Sequence, residues 1–180
     1  MGIALLATNT PLVLAASQTA QTNMNSGAVY ANISDPEAIE LGAIVDQIIP
    51  ADETPGATQI GVVYFIDAAL GGFASADTTV LRQGLAELQS SVHSAYPETG
   101  LFSELQSEQQ IAVLKSIEGT AFFKKLHSLT LYGMFSLPGY GGNREYAGWQ
   151  LLGFDHRHAW QSPFGYYDAL VNDSSRDTED

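Results

Sequence analysis

Apolar residues recur at three- and four-residue spacing over long stretches of this chain, and this period constrains the fold most. The first stretch begins at Ser34-Asp35-Pro36-Glu37, where Ser34 and Glu37 complete a capping box and Pro36 suits the first turn. One face is then apolar, with Leu41, Ile44, Val45, Ile48 and Ile49. Pro50 ends the predicted helix, because its ring clashes with a continuing turn.

Four further segments show the same period. We predict helices over Gly61–Leu70, Asp77–Ala95 and Ala121–Phe135, and one more that opens with a second capping box at Ser107-Glu108-Gln109-Gln110. In the same order, the residues of their apolar faces are Ile60, Val63, Tyr64 and Leu70; Leu81, Leu85, Leu88 and Val92; Phe122, Leu126 and Leu129; and Ile111, Leu114 and Ile117. No alternating run typical of a strand competes with them. The predicted fold class is all-α, a single domain of about five helices with a long glycine- and aromatic-rich C-terminal loop region.

That loop region begins with the stretch Pro138–Phe154. It contains five glycines among four aromatic rings, namely Tyr140, Tyr146, Trp149 and Phe154. The rings predict an ordered loop, with Asn143 and Arg144 as its polar tips. No Gly-x-Gly-x-x-Gly follows a strand here, and the stretch has no Lys, so neither a dinucleotide nor a phosphate site is predicted. The loop either closes its own core or forms a functional surface.

Composition limits the choice of partners. With 180 residues and 45% hydrophobic content, the chain is long enough for one compact domain. It carries 7 Lys and Arg against 20 Asp and Glu, a net charge of −13, which argues against a nucleic-acid partner. The absence of Cys excludes disulfides, thiolate metal sites and Cys nucleophiles.

The two ends differ from the rest in composition. We interpret residues 1–34 as a signal remnant and flexible N-terminal segment, 35–171 as the helical domain, and 172–180 as an acidic disordered tail. The run Ile3–Ala16 is too short to span a bilayer but resembles the apolar core of an export signal. The basic region that precedes such a core is missing, so either the chain starts inside the signal or the similarity is accidental.

Two groups of polar residues are candidates for chemistry. Four carboxylates flank the first inter-helix turn, namely Asp46, Asp52, Glu53 and Asp67. A buried pair of them would suit acid–base catalysis. Alternatively, these side chains are solvated or accept hydrogen bonds from the backbone. His156 and His158 occupy alternate positions in the sequence, a spacing at which two His side chains can bind one metal ion. Alternatively, they are surface residues, and the charge of Arg157 between them repels a cation.

Neither group makes a convincing active site, and we predict no catalytic, cofactor-binding or metal-binding residue in this chain. What remains is a surface of aromatic rings and one Arg, the composition of an interface hot spot. The predicted partner interface consists of Tyr140, Asn143, Arg144, Tyr146, Trp149, Phe154, Trp160, Phe164, Tyr166 and Tyr167.

Two blocks of sequence resemble the gluconate 2-dehydrogenase subunit 3 family. The first block runs from Ile44 through Pro50-Ala51-Asp52-Glu53-Thr54-Pro55-Gly56-Ala57 to Gly61-Val62 and Phe65-Ile66-Asp67. The second block is Tyr140-Gly141-Gly142-Asn143-Arg144 with Gly148-Trp149 and Gly153-Phe154. The paired blocks bracket most of residues 35–168 and are fairly specific together, whereas either alone is weak.

The resemblance implies a non-catalytic small subunit of a periplasmic sugar or sugar-acid dehydrogenase complex, held at the inner membrane through that complex. FAD is then expected in a large glucose-methanol-choline-type partner, and haem c in a possible multihaem cytochrome subunit. Family members typically carry a twin-arginine signal, which here would lie upstream of Ile3. The alternative function is a stand-alone secreted enzyme that uses the Asp46–Asp67 carboxylates or a metal at His156 and His158.

Overall fold

The computed structural model describes residues 22–27, 29–140 and 142–154, and this part of the chain is all-helical and free of strands, which confirms the predicted fold class. The helices are α1 (Asp35–Ile48), α2 (Val62–Leu70), α3 (Thr78–Ala95), α4 (Ser107–Ile117), α5 (Ala121–Phe135) and α6 (Ala147–Leu151). Residues 22–26 are helical as well. Single 3-10 turns lie at Ser75–Asp77, Phe102–Glu104, Pro138–Tyr140 and Arg144–Tyr146. The run Ile3–Ala16 and the tail 172–180 lie outside the described residues.

Helix α5 is the centre of the domain, because it packs against α1, α2 and α3. Leu126 and Met134 are completely buried on it, and Phe122 and Leu129 nearly so. Phe122 lies flat against α3 at Gly84, where a Cβ atom would come within 2.2 Å of the ring. Gly84 is therefore the point at which α3 and α5 approach each other, although glycine disfavours a helix.

The predicted limits of α1, α3 and α5 agree with the structure to within one residue. At the start of α1, the Ser34 amide donates to Glu37 Oε2 at 2.7 Å and the Glu37 amide donates to Ser34 Oγ at 3.4 Å, which completes the capping box. The predicted stripe of α3 is buried along its whole length, at Leu81, Leu85, Leu88 and Val92.

The capping box of α4 and one residue of its apolar face were predicted wrongly. Of the predicted face, Leu114 is buried and Ile117 packs against the core. Its N-cap is Gln106, whose amide donates to Gln109 Oε1 at 3.0 Å, so the capping box lies one residue earlier than Ser107. Ile111 is 40% exposed, whereas Gln110 and Val113 are buried. Gln110 is held inside by hydrogen bonds, because its Nε2 donates to the Phe102 carbonyl at 3.0 Å and its Oε1 accepts from Gln47 Nε2 at 2.7 Å.

Candidate functional site

The glycine- and aromatic-rich stretch folds back over the C-terminal end of α5. The last carbonyl groups of any helix have no partner within the helix and must find donors elsewhere. Here Trp149 Nε1 donates to the Phe135 carbonyl at 2.6 Å, and Asn143 Nδ2 donates to the Ser136 carbonyl at 2.8 Å. The loop therefore caps the central helix with two of its side chains.

Two glycines allow the loop backbone to touch that helix end. A Cβ on Gly142 would lie 2.0 Å from the Gly133 carbonyl oxygen, and a Cβ on Gly148 would lie 1.9 Å from the Met134 carbonyl oxygen. Real Cβ atoms do not approach backbone this closely, so a larger residue at either position would push the loop off the helix. Close contact with the backbone of α5 therefore explains why these two positions of the second sequence block are glycine.

Asn143 organises the loop from inside. Its side chain is completely buried, and its Oδ1 accepts from the Gly148 amide at 2.8 Å while its Nδ2 caps α5. Its backbone is left-handed, with φ 47° and ψ 48°, a conformation that Asn tolerates better than most residues. The interpretation of Asn143 as a polar tip was wrong, and the residue supports the loop surface from below.

Arg144 lies outside, next to this buried residue. Its side chain is half exposed and its Nε is 3.8 Å from Glu145 Oε1, while its amide donates to the Ile60 carbonyl at 3.1 Å. Glu145 and Tyr146 follow with φ angles of 55° and 60°. Successive non-glycine residues in the left-handed region carry strain, and such strain persists only where surrounding contacts enforce it.

Three aromatic rings contact one another along the loop, one pair tilted and the other edge to face. The Trp149 ring is half-buried, and its centroid lies 5.2 Å from that of Tyr146 on one side and 5.2 Å from that of Phe154 on the other. Tyr146 and Phe154 are themselves exposed. Trp149 is the inner member of the cluster, and its indole N–H fixes the cluster to α5.

Exposed apolar side chains are concentrated in and beside the loop. Of the eleven large hydrophobic side chains that are exposed in the described part of the chain, six lie between Tyr132 and Phe154. We define the loop face as these six together with Arg144: Tyr132, Leu137, Arg144, Tyr146, Leu151, Leu152 and Phe154. A cluster of exposed apolar side chains with one Arg is typical of a protein–protein contact. The structure adds Tyr132, Leu137, Leu151 and Leu152, which sequence analysis missed because they look like ordinary helix or loop residues.

The remaining predicted interface residues cannot be placed on this face. Trp160, Phe164, Tyr166, Tyr167 and the ring of Tyr140 lie outside the described residues, as do the metal candidates His156 and His158. Within the described ranges, no group of three His, Cys, Asp or Glu side chains could hold a metal ion. No helix in the same ranges is long and apolar enough to cross a membrane.

Three of the four candidate carboxylates accept hydrogen bonds from nearby backbone amides. Asp67 is buried and accepts from the amides of Ala31, Asn32 and Ile33 at 3.0, 2.6 and 3.0 Å, which fixes the segment before α1. Asp46 accepts from the Thr58 amide at 2.9 Å and its hydroxyl at 2.6 Å.

Asp52 and Glu53, the other two candidates, are exposed. Asp52 accepts from the amide and hydroxyl of Thr54 at 2.7 and 2.8 Å, and these bonds lower the pKa of Asp52. Asp46, Asp52 and Asp67 each bond a different stretch of backbone, so the structural interpretation of these carboxylates is favoured over the catalytic one.

Sequence analysis also missed a buried carboxylate, Glu40. It accepts hydrogen bonds from Gln89 Nε2, from the Phe102 amide at 3.1 Å and from the Ser103 hydroxyl. These partners join α1 to α3 and to the turn before α4. The position of Glu40 beside the apolar stripe of α1 could have predicted its burial. An acidic residue at such a position is usually solvated, so the burial was not expected.

The fold and this surface define a class: within the described residues, a small all-α domain with exposed apolar side chains beside the end of its central helix. The family model for gluconate 2-dehydrogenase subunit 3 matches residues 35–155, more than half of the chain. The chain therefore belongs to the gluconate 2-dehydrogenase subunit 3 family. Neither the search of curated proteins nor the search of solved structures gave a match.

Proposed function

We propose that this chain is the non-catalytic small subunit of a flavin-dependent dehydrogenase complex that oxidises a sugar or sugar acid. The observation that carries the proposal is the loop face, an exposed apolar surface held rigidly over the end of α5 by Asn143 and Trp149. A preorganised surface loses little entropy on binding and therefore suits a stable subunit contact. Family membership supplies the kind of complex.

The chemistry of the complex is assigned to its other subunits. FAD is held by a large glucose-methanol-choline-type flavoprotein, and haem c by a multihaem cytochrome subunit where one is present. The small subunit supports export, maturation and stability of the flavoprotein. The complex works in the periplasm at the inner membrane, and a twin-arginine signal directs its export.

Purification of the tagged chain from native cells tests this function. We expect mass spectrometry to identify a flavoprotein in stoichiometric amount, and we expect the purified complex to reduce an electron acceptor with glucose or gluconate. The isolated chain should show no flavin absorbance and no such activity. A chain that oxidises a sugar without any partner, or one that purifies alone, would refute the proposal.

N-terminal sequencing of the periplasmic protein tests the export step separately. We expect the mature protein to begin after Ala16, at the small-residue pair Ala15-Ala16 that follows the apolar run. Intact Met1 on functional periplasmic protein would contradict this part and leave the subunit function standing.

A further inference from the structure

A second surface lies on the side of α1 that faces α2. It is a groove of about 430 Å³. Small and apolar residues, two carboxylates and two tyrosines line it. The lining includes Asp35, Ile39, Ala43, Asp46, Tyr30 and Tyr64.

The carboxylates are spaced by the helix. Asp35 and Asp46 are eleven residues apart on α1, which is about three turns, so they lie on the same face roughly 16 Å from each other. Ile39 lies between them and is 62% exposed. The face therefore presents a negative charge, an apolar contact and a second negative charge in line.

Neither carboxylate has a cationic partner within the described residues. The ion pairs there are Arg82–Glu37, Lys125–Asp77 and Arg144–Glu145, and none includes Asp35 or Asp46. The hydrogen-bond donors to Asp46, the amide and hydroxyl of Thr58, are neutral groups. Tyr30 and Tyr64 add ring faces, with centroids 4.8 Å apart, and aromatic faces attract cations.

The groove is close to the loop face along the chain. Thr58 lines the groove, and Ile60, two residues later, accepts the hydrogen bond from the Arg144 amide. Two residues of extended chain span at most about 7 Å, so one partner is able to cover both surfaces.

We propose that this groove binds a short segment of the flavoprotein subunit in which two Lys or Arg side chains flank an apolar side chain. This inference rests on the proposed function. The net charge of −13 favours a basic partner surface, and the spacing of the two carboxylates sets the spacing of its cations. In an extended segment the two cations would be about five residues apart.

Charge reversal and an apolar-to-acidic change test the groove, each with a matched control. Asp35→Lys reverses a charge in the first turn of α1, and Glu108→Lys reverses an exposed charge in the first turn of α4. Ile39→Glu and Ile111→Glu place the same new charge on exposed apolar positions of these two helices. Affinity for the purified flavoprotein is measured at low and high salt, and melting temperature shows that each variant folds.

We expect each groove variant to bind about tenfold more weakly than the unsubstituted chain, and each control to bind normally. The loss for Asp35→Lys should shrink at high salt, because exposed charge pairs are screened. A photo-crosslinker at position 39 should attach to the flavoprotein, whereas one at position 111 should not.

If the unsubstituted chain fails to bind the flavoprotein, the proposed function is refuted. If it binds but the groove variants bind like their controls, or position 39 crosslinks only to a second copy of this chain, the groove inference alone is overturned.

Discussion

The backbone amide of Arg144 donates to the carbonyl of Ile60 at 3.1 Å. The two residues are far apart in sequence, but Ile60 lies just before α2 and Arg144 lies in the loop that caps α5. An exposed residue of the second sequence block is thus held in place by a buried residue that directly precedes Gly61 of the first block. The bond ties the loop face to the start of α2.

The loop glycines should be irreplaceable for steric reasons. We expect Gly148→Ala to cost about 3 kcal/mol or more of folding stability, since its Cβ would lie 1.9 Å from the Met134 carbonyl oxygen. Gly139→Ala is the control, because a Cβ there meets no atom within 4 Å, and it should be neutral or slightly stabilising. Denaturant unfolding of both variants measures the difference. Equal stability would show that the loop backbone does not press on α5.

Trp149 should contribute both a ring and a hydrogen bond to the fold. Trp149→Ala removes a half-buried ring from between Tyr146 and Phe154, and we expect a loss of about 2–3 kcal/mol. Trp149→Phe keeps a ring but deletes the donor to the Phe135 carbonyl, and it should cost about 1 kcal/mol. Thermal and denaturant unfolding of the free subunit measure both values. An unchanged melting curve for Trp149→Ala would mean that the loop does not organise the domain.

Asp67 should hold the segment that precedes α1. Asp67→Asn replaces one acceptor oxygen with an amide that faces backbone donors, and we expect a loss of about 2–4 kcal/mol. Hydrogen exchange at the amides of Ala31, Asn32 and Ile33 should accelerate more than exchange in α5. Asp52→Asn changes an exposed carboxylate and is the control. Unaltered exchange at the three amides in Asp67→Asn would contradict this role.

Glu37 should make stability depend on pH in the acid range. Although partial burial acts in the opposite direction, hydrogen bonds from Ser34 and the guanidinium of Arg82 hold the pKa of Glu37 below its usual 4.5. As pH falls, the unfolded chain therefore takes up the proton first. The stability that Glu37 adds is complete above pH 4.5 and is lost as pH falls through the folded-state pKa.

The difference in unfolding free energy between the unsubstituted chain and Glu37→Gln measures this contribution. It should be constant near neutral pH and shrink below about pH 4.5. Ser34→Ala removes one of the donors and should flatten the same pH dependence. A difference that grows as the pH falls would have the wrong sign for this arrangement.

The helical framework follows from local pattern, whereas the chemistry of the loop does not. Capping boxes and apolar stripes placed α1, α3 and α5 because those signals act within a few residues. The capping box of α4 was misplaced because Gln106 makes the cap that Ser107 was expected to make. The burial of Asn143 and the role of Asp67 depend on carbonyl and amide groups that only tertiary folding brings near. The groove was missed because Tyr30 lies outside the predicted helical domain and only tertiary folding brings it beside α1.

The affinity of Arg144→Ala for the flavoprotein tests the central claim most directly. Arg144 lies on the loop face with its side chain half exposed, so the substitution should leave the melting curve of the free subunit almost unchanged. Lys115→Ala, an exposed cation on α4, is the matched control. We predict that Arg144→Ala weakens the complex by about 2 kcal/mol or more while Lys115→Ala binds normally. An Arg144→Ala subunit that melts and binds like the unsubstituted chain would contradict the account.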